Sequence, residues 1–482
     1  MALSLISHTN VGKTTLARTL LRRDVGEVRD LPHVTETADA YPLVESPAGD
    51  VLLLWDTPGF GDSARLLRRL EQSGNPLGWF LTQVWDRFVD RPFFSSQQAI
   101  RNVRDEADVV LYLVNAGEDP AAAGYVDAEM KILGWIGRPV LVLLNQLGPP
   151  RSVADEDHDV GRWSRHFGGH APVRGVIAFD AFARCWVQEH ALLDAIASVL
   201  PDERRAAFER LADAWRSRNR AIFEQSMQAL AAQLAAAASH TVSIPKSGLA
   251  VTARSLLGRV LRGAEAGTDP GVDAAMGELA RRLDEQVRAA TDRLIELHGL
   301  GGRAAAEVLH RLGTEYAVEQ AVDPGKSSVI GAALSGALGG LAADLAAGGL
   351  TFGAGALIGG LLGAAGGRGL AQAYNLARGR DDSVVRWSGE FLTGRVTGAA
   401  LRYLAVAHFG RGRGDYVQGE YPSHWRAQVE SAVARRGPEF AAVWSAAERG
   451  TEAAALEARL RPLLEATVAE VLAALYPVAA KA

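Results

Sequence analysis

A short apolar run from Leu3 to Ile6 leads straight into Ser7-His8-Thr9-Asn10-Val11-Gly12-Lys13-Thr14-Thr15, and a helical pattern from Lys13 to Arg22 follows at once. No other stretch constrains the chain as much. A strand that turns through glycine into a helix gathers backbone N–H groups and the positive end of the helix macrodipole around one point, which makes an anion site. The spacing fits Gly-x-x-x-x-Gly-Lys-Ser/Thr with one change: Ser7 stands where the first glycine is usual. Asn10, Val11, Gly12, Lys13, Thr14 and Thr15 are therefore the expected nucleotide-binding residues. Gly12 lets the loop amides turn inward, Lys13 sets an ammonium near the β and γ phosphates, and Thr14 offers a hydroxyl to Mg²⁺. Ser7 demands a backbone conformation open to a residue with a side chain.

A second motif supports the first. The run Val51 to Trp55 ends in Asp56-Thr57-Pro58-Gly59. An aspartate at a strand end beside a phosphate loop can hold Mg²⁺ through water, and the Gly59 N–H can sense the γ phosphate. Taken alone, Asp-Thr-Pro-Gly is an ordinary turn. Between the motifs, the polar stretch from His33 to Pro42 contains Thr35 and Thr37. Either can supply a switch threonine for Mg²⁺ and the γ phosphate, and Thr35 is preferred. Lys13, Thr35 and Gly59 are thus the expected catalytic set, and Thr14, Asp56 and Thr35 the expected metal set.

Further apolar runs, Val109 to Val114, Val140 to Leu144 and Val173 to Phe179, alternate with helical patterns at Gln97 to Ala107 and Asp127 to Ile136. This alternation predicts an α/β domain with a doubly wound, mainly parallel sheet over residues 1–200. From Asp202 the strand signal disappears, and a mainly α-helical region over 201–482 is expected, with the boundary near Pro201. A chain of 482 residues exceeds what one core usually serves, in keeping with two domains. A single cysteine, Cys185, excludes an intramolecular disulfide framework, and with His190 it makes no convincing metal site. The net charge of −5 argues against sequence-specific nucleic-acid binding. The N-terminus turns polar too quickly for a signal peptide, so a cytoplasmic location is expected.

Residues 329–367 carry one charge, Asp344, and place Gly355, Gly359, Gly363 and Gly367 four apart. Such a face permits close helix packing. It fits a membrane-inserting hairpin or a tight helical pair in a soluble core; the basic flanks Arg378, Arg380, Arg411 and Arg413 fit a lipid surface weakly. Between Arg65 and Ser96 lie Trp79, Phe80, Trp85, Phe88, Phe93 and Phe94, which suit core packing or an interface coupling the γ-phosphate sensor to the helical region.

Ser7-His8-Thr9-Asn10-Val11-Gly12-Lys13-Thr14 followed by Asp56-Thr57-Pro58-Gly59 on an alternating α/β pattern resembles the translation-factor-like GTPases of the Era and TrmE type, over about the first 200 residues. The whole chain is also similar to a bacterial family in which such a domain carries a long, uncharacterised helical C-terminal region. The resemblance implies a Mg²⁺-dependent GTP/GDP switch acting on a protein, ribosome or membrane partner, cytoplasmic or peripheral to the inner membrane. A membrane-associated assembly or remodelling factor whose nucleotide state controls oligomerisation, or a nucleoside-triphosphate hydrolase of loose specificity that also accepts ATP, are the alternatives. Asn10 matches the residue that helps bind an activating K⁺ in TrmE-like proteins. Phe60 stands where related enzymes orient water with glutamine, so intrinsic hydrolysis should be slow. The base-reading Asn-Lys-x-Asp is reduced to Asn145-Gln146-Leu147-Gly148. Asn145 can still meet the purine edge, but without the aspartate guanine preference should weaken. Phe179-Asp180-Ala181-Phe182 falls where a backbone contact to the base is expected.

Overall fold

The computed structural model describes residues 1–25, 38–72, 74, 76–82, 90–148, 153–182, 185–244, 270–300, 374–378, 383–409 and 422–477. Thr35, Thr37, Trp85, Phe88 and the segment 329–367 lie outside them. Two compact units are present: Met1–Ile222 with Ala407–Pro422 and Leu472–Ala482, and Phe223–Val406 with Ser423–Val471. The division after Ile222 falls inside a single helix that starts at Asp202.

The first unit is built on six strands, β1 (Ala2–Ser7), β2 (Asp39–Glu45), β3 (Val51–Asp56), β4 (Val109–Asn115), β5 (Val140–Asn145) and β6 (Val173–Ala178). Their order is β2-β3-β1-β4-β5-β6, and all pairs are parallel except β2 with β3. β1 and β5 are buried throughout and β4 nearly so, as expected of strands covered on both faces. Alternate residues divide between two cores. Val110, Tyr112 and Val114 join Ile6, Met130, Leu133 and Trp163 on one side, while Leu111 and Leu113 join Leu5, Leu16, Leu20 and Ile196 on the other. β1 has β3 on one side and β4 on the other, so the point where the strand order reverses, where sheets of this kind bind ligands, falls at the carboxyl end of β1.

The helices of this unit are α1 (Lys13–Leu21), α2 (Ser63–Leu70), α3 (Pro76–Thr82), α4 (Arg91–Asp105), α5 (Tyr125–Ile136), α6 (Val153–Phe167) and α7 (Trp186–Val199). Sequence periodicity places α4 too late, because its first turn is the polar-looking Arg91-Pro92 start. It also misses β2. That edge strand is mostly exposed and contains Pro42, and its register shifts between Pro42 and Val44. An edge tolerates both.

The long helix α8 (Asp202–Ser239) buries Phe208, Leu211 and Trp215 in the first unit and Met227, Leu230 and Leu234 in the second. The second unit adds α9 (Pro270–Leu297), α10 (Gly389–Ala407), α11 (Ser423–Arg435), α12 (Gly437–Glu448) and α13 (Ala453–Leu475). The region after residue 200 is mostly helical, with one small addition that no strand signal marked: β7 (Thr241–Ile244), β8 (Tyr374–Arg378) and β9 (Ser383–Trp387) form an antiparallel sheet in the order β7-β9-β8. β7 and β8 lie far from each other in the chain, and strands of four or five residues leave too short an alternation to read against the helical background. Among the described residues no helix is long and apolar enough to cross a membrane.

Candidate nucleotide site

The carboxyl end of β1 runs through the 7–12 loop into α1. Asn10 adopts φ +64° and Gly12 φ +96°, and Gly12 caps the helix. A Cβ on Gly12 would lie 2.8 Å from Asn145 Nδ2, so both conformation and space call for glycine. Ser7 needs no left-handed conformation and remains the last residue of β1. Its Oγ accepts from Lys13 Nζ at 2.9 Å and donates to the His8 carbonyl. A serine here gives the buried lysine a local partner, a role that motif spacing does not reveal.

Lys13 is buried at the start of α1. Desolvation lowers its pKa to about 8, against the opposing fields of Asp56 and Glu129. Asp56 ends β3 and is also buried; desolvation raises its pKa to about 6, opposed by the Thr14 hydrogen bond and the Lys13 charge. Thr14 Oγ1 donates to Asp56 Oδ2 at 2.6 Å, while Asp56 Oδ1 is buried without a hydrogen-bond partner among the described residues. A buried carboxylate with one orphaned oxygen, joined to a threonine hydroxyl, is an all-oxygen donor set suited to Mg²⁺. Thr14 and Asp56 are the residues that would hold it.

The loop after β3 closes over this pair. Thr57 Oγ1 donates to the Leu5 carbonyl at 2.6 Å, and Phe60 N donates to the Ser7 carbonyl at 2.9 Å. A Cβ on Gly59 would lie 3.0 Å from Lys13 Nζ and 3.1–3.2 Å from the Thr9 backbone. The Gly59 backbone thus sits beside the lysine, where the motif expects it. Phe60 is fully buried in a core with Leu66, Phe80 and Phe93 and does not face the phosphate loop as a polar group would. The aromatics Phe80 and Phe93 of the 65–96 stretch are core residues, with ring centroids 6.2 Å apart. Gly61 lies against Pro92 of α4, and Gly61 N donates to Ser96 Oγ at 3.2 Å.

Sequence spacing alone did not disclose Glu129. This wholly buried carboxylate of α5 meets His8 Nδ1 at 2.8 Å, the Ser63 hydroxyl of α2, and the Tyr112 hydroxyl at 2.6 Å. It ties the phosphate loop to the first turn of α2. Glu129 reads as one polar residue of an amphipathic helix, and only the fold brings His8 and Ser63 to it.

On the other flank, Asn145 Nδ2 donates to the Val11 carbonyl at 2.7 Å, and Asn145 Oδ1 accepts from Ala181 N at 2.8 Å. Its amide braces the phosphate loop against the segment after β6. Gly148 has φ +85°. Asp180, from the segment singled out above, accepts from Leu147 N at 2.5 Å and Phe182 N at 2.7 Å. A carboxylate therefore lies beside the shortened motif, arriving from the next loop rather than from position 148. Cys185 is buried and caps α7 with Gln188, a structural role.

Strand order, phosphate loop and β3-end aspartate together define a P-loop GTPase domain, followed by a mostly helical region. A family model described as "50S ribosome-binding GTPase" matches residues 3–146. A second, "Domain of unknown function (DUF3482)", matches residues 171–468. The chain belongs to this DUF3482 family. GTPase Der of Serratia proteamaculans (strain 568) is 26% identical over 160 residues, 33% of this chain and 26% of that protein, so the chain spans about a quarter of the relative's length. Among solved structures, Era from Aquifex aeolicus bound to GDP and AlF4⁻ shares 16% identity over 42% of this chain and 57% of that one, with a TM-score of 0.31. NFeoB from S. thermophilus, bound to mGMPPNP, shares 16% identity over 47% and 77%, with a TM-score of 0.23.

Proposed function

We propose that this protein binds GTP with Mg²⁺ and hydrolyses it slowly to GDP and phosphate, as a switch for a protein, ribosome or membrane partner. The observation that carries the reading is the cluster of buried Lys13, Asp56 and Gly59 with half-buried Thr14 at the carboxyl ends of β1 and β3. In the proposed reaction a water oxygen bonds to the γ phosphorus as its bond to the GDP oxygen breaks, and the water proton leaves on phosphate. Lys13 counters charge on the β and γ oxygens, the Gly59 N–H reports the γ phosphate, and Mg²⁺ held by Thr14 and Asp56 supplies further charge neutralisation. Thr35 is the proposed third contributor. No glutamine stands at position 60 to orient the water. K⁺ held through the exposed Asn10 is the proposed compensation; faster hydrolysis in K⁺ than in Na⁺ buffer is expected, and equal rates would remove it.

The route to an output lies within the first unit. Arg22, at the C-terminal end of α1, donates to Asn219 Oδ1 of α8 and lies 3.6 Å from Glu189 of α7; Trp215 and Asn219 both donate to Glu189. The helix that starts at the phosphates is thereby bonded to the helix that continues toward residue 239.

Calorimetry with GTP, GDP and ATP tests the base preference. Asp180 is the proposed acceptor from the guanine N–H groups in place of the missing aspartate. GTP is expected to bind about 10–100-fold tighter than ATP, short of the 10⁴-fold reached by dedicated polar recognition. Asp180→Asn should erase that margin; tight ATP binding with no GTP binding would refute the reading. The pH profile gives a second check. Phosphate binding favours the Lys13 ammonium, so affinity should fall as pH rises through about 8. Mg²⁺ favours the Asp56 carboxylate, so Mg²⁺-dependent affinity should fall as pH drops through about 6. A flat profile from pH 5 to 9 would contradict the assignment.

A further inference from the structure

We propose that Asp127, His166 and His170 form a site for a first-row transition-metal ion of the Zn²⁺ class, separate from the nucleotide site. Asp127 lies in the first turn of α5, His166 in the last turn of α6, and His170 just past the Gly168-Gly169 turn that ends α6. His170 N donates to the Phe167 carbonyl at 2.9 Å, which folds the second histidine back toward the first. One ligand atom from each residue lies within 4.8 Å of the other two.

Asp127 Oδ1 is 3.1 Å from His170 Nε2 and 3.8 Å from His166 Nε2. Donors about 2.1 Å from a tetrahedral zinc stand roughly 3.4 Å apart, between those two distances. The Asp127 side chain is 67% exposed, so it can close the remaining gap without moving the backbone. The histidine rings are held in place. His166 packs edge-on to Trp163 at 6.0 Å and to Phe167 at 5.6 Å, and His170 lies 6.0 Å from Phe167.

Two observations favour an ion over a plain histidine–aspartate pair. The Nε2 atom of His166 is buried and has no hydrogen-bond partner among the described residues. A metal would satisfy it, whereas the contact to Asp127 at 3.8 Å is too long for a hydrogen bond. His166 and His170 also gather at the C-terminal end of α6, where the helix macrodipole is negative and favours a cation. Two imidazoles and one carboxylate suit Zn²⁺, Co²⁺ or Ni²⁺ and leave at least one position for water; Mg²⁺, which prefers oxygen, would not compete. The bound ion would clamp the start of α5 to the end of α6. Glu129, two residues beyond Asp127 on α5, contacts His8 and Ser63, so the clamp steadies the helix that braces the phosphate loop.

The test is Co²⁺ titration of the full chain without an affinity tag, followed by visible absorption and equilibrium dialysis with excess Mg²⁺ present. One equivalent of saturable Co²⁺, displaced by Zn²⁺, is expected. His166→Ala with His170→Ala should weaken binding by about 100-fold or more, beyond the loss typical of removing an outer partner. Asp127→Asn, at an exposed position that does not threaten folding, should weaken it measurably, and His158→Ala, on the same helix, should leave it unchanged. GTP binding should survive in all of them, which separates this test from the nucleotide reading. Absence of a saturable site, or one unaffected by both the double histidine variant and Asp127→Asn, would overturn the proposal.

Discussion

Replacing Lys13 with alanine is expected to weaken GTP and GDP binding by at least about 100-fold while leaving the chain folded. The ammonium is buried at the head of α1 and hydrogen-bonds Ser7 Oγ. Burial takes it out of water and lowers its pKa to about 8. A triphosphate oxygen therefore gains a charge-assisted bond without a further desolvation cost on the protein side. Such bonds contribute about 1.5–3 kcal/mol each, and Lys13 is placed to make more than one. Alanine also takes a cation from the buried Asp56 and Glu129 carboxylates, so some loss of stability is expected, and Lys13→Arg, which keeps the charge, serves as the folded control. Calorimetry on Lys13→Ala checks this. Affinity within threefold of the parent would mean that the phosphates lie elsewhere.

Asp56→Asn carries the second large effect, with opposite signs on stability and binding. The folded pKa of about 6 stands above the ordinary 3.8, so burying the ionised form costs stability at neutral pH. That cost is absent below the unfolded pKa and grows as pH rises through about 6. It amounts to at most roughly 3 kcal/mol. Asparagine carries no charge and keeps a carbonyl oxygen for Thr14. The nucleotide-free variant should therefore melt roughly 3–10 °C higher at pH 7.5, with the gain shrinking toward pH 4. The same change removes the anionic metal ligand, so Mg²⁺ should no longer strengthen GTP binding. A melting point below the parent's, or an unchanged Mg²⁺ dependence, would contradict this account.

These two residues were legible in the sequence because their motifs fix geometry locally: a strand, a glycine and a helix start fit within nine residues. The parallel sheet was legible for a related reason, since buried strands read as continuous apolar runs. What escaped depends on contacts distant in sequence. β2 is an exposed edge with a proline. Glu129, Asp180 and the His166–His170 pair gain meaning only when the loops and helices around β4, β5 and β6 are placed beside β1. Asn145 illustrates the limit from the other side. Its motif position suggests a base contact, and its bonds to Val11 and Ala181 show only in the fold. The Gly-rich segment 329–367 and the threonines at 35 and 37 lie outside the described residues and remain sequence expectations.

The most direct measurement is a crystal structure of the full chain with Mg²⁺ and a non-hydrolysable GTP analogue. The account predicts the triphosphate curled over the Asn10–Thr15 amides, Lys13 Nζ transferred from Ser7 Oγ to a β or γ oxygen, and a cation between Thr14 and Asp56. A nucleotide bound away from this loop, or Lys13 still on Ser7 with the ligand present, would contradict it.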